Sequence, residues 1–133
     1  MSTDKRPEDK DIYAAGLQVR RDMFGMAGAD EQIEAATDFT RPLQDVVTRF
    51  CFGETWNRPC LDRKMRSMLT IALLTALGKQ NQVRVHVRAA IQNGVSKDEI
   101  REVLMHCLVY AGLPAAVDSF ATSADVLKQM GLE

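Results

Sequence analysis

Between residues 54 and 88 the chain gathers side chains that could bind and protonate an anion. Glu54 and Trp56 come first, followed by Arg58, Arg63, Arg66, Arg84 and Arg88, with His86 among the last two. Guanidinium groups suit carboxylates because their planar fork makes two parallel hydrogen bonds. An imidazole titrates close enough to neutrality to move a proton. Each residue also has a plainer reading. A histidine at the edge of an apolar stripe is commonly a core residue, and arginines commonly sit on solvated faces. Company raises the functional reading: Arg66 lies one turn from a strongly apolar run, where a cation is costly unless paired. Either it meets a carboxylate of the protein, such as Glu54, or it awaits an anionic ligand.

The elements that must position these groups read as helices throughout. Ile12, Ala15, Val19 and Met23 recur at helical spacing, after a flexible polar tail over 1–10. A short helix follows from about Asp30 to Ala36. Thr40 is placed to cap the next, with Pro42 in its first turn and Leu43, Val46, Val47 and Phe50 as its apolar stripe. The stretch "GETWNRPCLD", 53–62, is irregular and ends on Asp62, a good cap. The helix from there to Leu77 is apolar nearly all round and stops at Gly78. Val83, Val87, Ala90 and Ile91 mark another helix, closed by "NG" at 93–94. Ser96 and Glu99 have capping-box spacing. The helix they open carries Ile100, Val103, Leu104, Cys107 and Ala111 on one face. After "GLP", 112–114, a last helix turns Val117, Phe120, Ala124 and Leu127 inward. On helical geometry Val83, His86 and Ala90 share one face, and Arg84 and Arg88 another. The fold class is all-α, a bundle of about six or seven helices in a single domain. The surplus of apolar faces predicts a homo-oligomer.

Composition excludes several functions. Seventeen basic residues against eighteen acidic ones give a formal charge of -1, with no nucleic-acid footprint or polybasic membrane patch. A helix-turn-helix reading of 83–111 fails because "KDEIRE" is acidic where phosphates would lie. The longest apolar run, "MLTIALLTAL", is far shorter than the roughly 20 residues of a membrane span. The charged N-terminus has no signal-peptide core, so the protein is expected in the cytoplasm. Cys51, Cys60 and Cys107 form no CxxC pair and no zinc pattern. Their spacing gives no reason to expect a bound metal.

"FGETWNRPCLDRKMRSMLTIALLTALGK" followed by "HVRAAIQNGVSKDEIREVLMHCLVYAGLPAA" resembles the gamma-carboxymuconolactone decarboxylase family, and "YAAGLQVRRDMFG" is similar to its N-terminal helix. The resemblance implies an AhpD-like helical fold, usually a homohexamer. It also implies cofactor-independent decarboxylation of 4-carboxymuconolactone, a small anionic lactone, to 3-oxoadipate enol-lactone in protocatechuate catabolism. On that pattern Glu54, Trp56, Arg58, Arg66, His86 and Arg88 match positions around the pocket. His86 is assigned as proton donor and Glu54 as the group that orients it. Arg58, Arg66 and Arg88 are assigned as carboxylate binders, and Trp56 as an apolar wall. The wider superfamily includes thiol peroxidase-reductases, but here Lys79 and Gln82 stand at the cysteine positions and Ser67 at the glutamate position, so disulfide chemistry cannot run. Cys60, Val117 and Ala121 depart from the decarboxylase pattern. A paralogue acting on a related lactone, or a non-catalytic ligand-binding oligomer, is the alternative.

Overall fold

Two glycines decide how the first helices meet. In the computed structural model, which describes residues 9–133, α1 (Asp9–Phe24) crosses a π-helix (Val47–Thr55) almost backbone to backbone. A Cβ on Gly16 would lie 1.8 Å from the Thr48 carbonyl oxygen, and one on Gly53 would lie 2.4 Å from that of Ile12. Only glycine tolerates such an approach. The tail expected over 1–10 lies outside the described residues except for Asp9 and Lys10, which open α1. Between these helices come α2 (Asp30–Glu34) and α3 (Arg41–Val46), which runs straight into the π-helix. The wide turn is explicit at its end, where the Trp56 N–H donates to the Cys51 carbonyl five residues back at 2.9 Å. The irregularity expected over 53–62 is thus partly a regular but rare helix, and only the stretch after Thr55 is turn.

The chain forms two compact units, the first through Cys60 and the second from Leu61 to Glu133. In the first, Arg20 is 2% exposed and its guanidinium donates only to neutral acceptors. These are Gln44 Oε1 and Thr48 Oγ1, both at 2.9 Å, the Gly28 carbonyl at 3.1 Å and Gln32 Oε1 at 3.3 Å. Burial lowers the Arg20 pKa, with Tyr13 and Asp30 acting in the opposite sense. Arg20 is the deeply buried arginine of the chain's described part, not Arg66, which is half-buried. Leu43, Val46 and Phe50, expected as an inward stripe, are exposed. Thr40 does not cap α3 with its side chain; its hydroxyl instead accepts from the Thr37 N–H at 2.9 Å.

The second unit contains α4 (Arg63–Leu77), α5 (Gln80–Gln92), α6 (Lys97–Ala111) and α7 (Leu113–Gln129). Its local signals act as expected. Asp62 accepts from the Met65 N–H at 2.8 Å, Gly78 ends α4 with φ 71°, and Ser96 and Glu99 close a reciprocal capping box. The core joins Ile71, Val83, Val87, Ala90, Val95, Ile100, Leu104 and Val126. Several polar groups are paired across helices: Thr75 with Ser119 at 2.8 Å, Gln80 to Ser119 at 2.9 Å, and Thr122 to Gln80 at 2.6 Å. Val117, expected inside α7, is 54% exposed, and Ala111 and Ala124 also face outward. The opposite face of α4 carries Met65, Leu69, Leu73 and Leu77, an i, i+4 line whose last two members are 63% and 67% exposed. No strand occurs among the described residues, and none of their helices is long and apolar enough to cross a membrane.

The Gly16 contact is testable. Gly16→Ala should destabilise the protein by about 3 kcal/mol or more, because the neighbour is backbone and cannot swing aside. Gly78→Ala, which meets nothing within 4 Å, should cost only about 1–2 kcal/mol through its left-handed φ. Equal urea midpoints for the two variants would contradict the close crossing.

Candidate functional site

In the first unit, Glu54 stands exposed in the last turn of the π-helix. Trp56 follows it, half-buried, with its ring 5.8 Å from that of Phe52. Phe52 in turn meets Phe24 of α1 edge-on at 5.5 Å. This run of rings fixes the end of the π-helix, as does Asn57, whose side-chain amide donates to the Phe52 and Gly53 carbonyls, both at 3.1 Å. Arg58 is exposed just beyond, and its backbone N–H donates to the Thr55 carbonyl at 3.2 Å. The apolar wall expected at Trp56 is therefore braced from behind. Glu54 and Arg58 are both exposed at this end of the unit.

In the second unit, Arg66 sits in the first turns of α4, its Nε donating to the Leu61 carbonyl at 3.1 Å. Its neighbour Ser67 is fully buried and accepts from the Asn93 amide at 2.9 Å. The position that would hold a glutamate in a peroxidase is thus part of a helix-to-helix tie. Lys79 and Gln82 are both exposed. Cys51 is half-buried, Cys60 exposed and Cys107 buried, and burial pushes the Cys107 thiol up, making it a poorer nucleophile.

His86 and Arg88 belong to different sides of α5. Two helical residues lie roughly 200° apart, and the partners agree. Arg88 donates to Gln129 Oε1 of α7 at 3.1 Å, beside the ion pair of Arg84 with Asp125. His86 shares the side of Val83 and Ala90, both fully buried. The residue is half-buried, yet desolvation pushes its pKa down from 6.5 to about 4. The imidazole is therefore neutral at pH 7. An adjacent negative charge would raise its pKa, as for any histidine. Among the described residues, no three His, Cys, Asp or Glu side chains gather as a metal set. The buried Arg20 was the group that sequence reasoning overlooked. Its signal was an arginine at helical spacing between Gly16 and Met23, on the inward face.

The sequence profile of the carboxymuconolactone decarboxylase family matches residues 41–125, and the chain belongs to that family. It is 41% identical to 4-carboxymuconolactone decarboxylase of Acinetobacter baylyi over 124 residues, 93% of this chain and 92% of the relative. It is 35% identical to nitrosuccinic acid decarboxylase of Metarhizium robertsii over 132 residues, 98% of this chain and 92% of the relative. A shorter match, 38% over 47 residues, links it to 4-carboxymuconolactone decarboxylase of Pseudomonas putida, covering 35% of this chain and 98% of that sequence.

The state of His86 has a consequence for stability. Its folded-state pKa, about 4, lies below the ordinary 6.5, so between those values the unfolded chain binds the extra proton. The stabilisation is therefore complete above about pH 6.5 and is lost as pH falls towards 4. Urea midpoints measured from pH 7 to pH 4 should fall further for the wild type than for His86→Gln. The two curves should diverge by about 3 kcal/mol. Parallel curves would mean that the ring is solvated.

Proposed function

We propose that this protein is a cofactor-independent decarboxylase whose substrate is 4-carboxymuconolactone and whose product is 3-oxoadipate enol-lactone. The observation that carries the reading is the 41% identity over nearly the whole chain to a decarboxylase of that name. The chemistry fits the residues. The bond from carbon to the departing carboxylate breaks, and its electron pair delocalises through the double bond onto the lactone carbonyl. A proton then reaches carbon. The substrate is its own electron sink. The protein has to hold a dianion, stabilise the developing oxyanion and supply the proton.

His86 supplies the proton, with Glu54 as the second catalytic group. The dianion itself draws the proton onto the otherwise neutral imidazole, which couples acid formation to substrate binding. Arg58 and Arg66 bind the carboxylates through their forked donors, while Arg88, expected among them, lies on the other side of α5 and donates to Gln129; Trp56 provides the dry surface from which a carboxylate leaves more readily. The 35% identity to nitrosuccinic acid decarboxylase over 98% of the chain supports a second reading within the same chemistry, in which a smaller polycarboxylate is the substrate. The protein acts in the cytoplasm as a homo-oligomer, a hexamer. The exposed line Met65, Leu69, Leu73 and Leu77 on α4 supports the assembly, since a patch of that kind on a monomer is unusual.

Purified protein should release CO2 from 4-carboxymuconolactone faster than from nitrosuccinate; the reverse order would favour the second reading, and release from neither would remove the decarboxylase assignment. His86→Gln should keep its melting temperature at pH 7 while kcat falls by about 10²–10⁴-fold. Arg66→Lys should act mainly on KM. A destabilised His86→Gln protein with normal kcat would make His86 a core residue only.

The apolar line on α4 leads to a separate expectation. Sedimentation equilibrium at micromolar protein should give six times the chain mass, and Leu73→Glu should shift it towards the monomer. A monomeric wild type would contradict the assembly.

A further inference from the structure

The second unit holds a cavity of about 180 Å³ between α6 and α7. Its apolar lining comes from Ile100, Leu104, Phe120 and Leu127. One polar atom disturbs that lining. Ser123 is 3% exposed, and its hydroxyl oxygen is buried with no hydrogen-bond partner. Buried hydroxyls are normally satisfied, and on a helix the usual solution is to donate to the carbonyl four residues back. Thr48 and Thr70 do so, at 2.8 and 2.7 Å. Ser123 does not, although it too is helical. Its hydrogen-bonding capacity is left facing the cavity.

Charge and size narrow what could use it. The charged members of the lining are Lys97, Arg101 and Glu133. Arg101 is already paired with Asp98 at 3.0 Å. Cations and carboxylates are balanced there, so nothing draws a dianion to this place. The volume is that of a single ring, since an engineered apolar cavity of roughly 150 Å³ holds benzene. We infer that the α6–α7 cavity is a ligand site for an uncharged single-ring molecule bearing one hydroxyl, held by apolar contact and by the Ser123 hydroxyl. This site is separate from the proposed reaction and does not depend on its substrate.

Phenol is the probe. Calorimetric titration of the full chain should show saturable binding at one site per chain, with Kd on the order of 1 mM for so small a ligand. Toluene, which has the same shape without the hydroxyl, should bind more weakly, and benzoate more weakly than phenol. Ser123→Ala should weaken phenol about five- to tenfold, the worth of one hydrogen bond, and abolish the preference over toluene. Ala124 lines the same cavity from an outward-facing position, so Ala124→Trp should fill the space and remove binding without unfolding the helix. Melting temperatures check both variants. If Ala124→Trp does not fold, the loss of phenol-over-toluene preference in Ser123→Ala still decides. Absence of saturable phenol binding, an unchanged preference in Ser123→Ala, tighter binding of benzoate, or persistent binding in folded Ala124→Trp would each overturn the assignment.

Discussion

The second unit depends on one line of side chains. Ser67, Ile71 and Thr75 lie at i, i+4 spacing on α4 and are all fully buried. Ile71 contributes the apolar centre, and the two hydroxyl residues tie α4 to its neighbours through Asn93 and Ser119. Polar groups at that depth are tolerable only because each is paired. They fix the rotation of α4, and with it the depth of α5, whose Val83, Val87 and Ala90 close on the same core. The depth of α5 decides the solvation of His86. A group at the edge of the buried stripe loses water, and its pKa falls accordingly.

The first unit solves a different problem. Gly16 and Gly53 bring two helices closer than any side chain allows, and Arg20 occupies the space beside that crossing. A guanidinium satisfied by neutral oxygens costs more than a surface cation and fixes geometry more tightly, because Gln32, Gln44, Thr48 and Gly28 must all hold their places. The π-helix ends where Phe52 and Trp56 meet, so Glu54 and Trp56 are delivered by the same crossing that Gly16 permits.

Much of this was legible where the cause is local. Asp62, Gly78 and the Ser96–Glu99 pair act within one turn of their own sequence, and each does what its type predicts. The fold class followed from helical periodicity. What was not legible has distant causes. The π-helix depends on a glycine some thirty residues earlier, and no local rule marks it. Thr40 looked like a helix cap, but its hydroxyl is taken by Thr37. Leu43, Val46, Phe50 and Val117 are apolar and periodic yet face outward, because periodicity identifies a stripe without saying whether the chain itself covers it. In the site, the sharing of one face by Val83, His86 and Ala90 could be read from spacing. The loss of water at His86 could not, since it comes from helices packed around it.

The family's chemistry and the fold meet at that imidazole. Desolvation keeps the ring neutral at pH 7, and on the proposed mechanism the bound dianion would raise its pKa. The direct measurement is an NMR titration of the His86 ring, with and without a saturating unreactive dicarboxylate analogue of the lactone. A pKa near 4 in the free protein, moving upward towards neutrality when the dianion binds, is the expected result. A free-protein pKa near 6.5, or a low value that the dianion leaves unchanged, would contradict it.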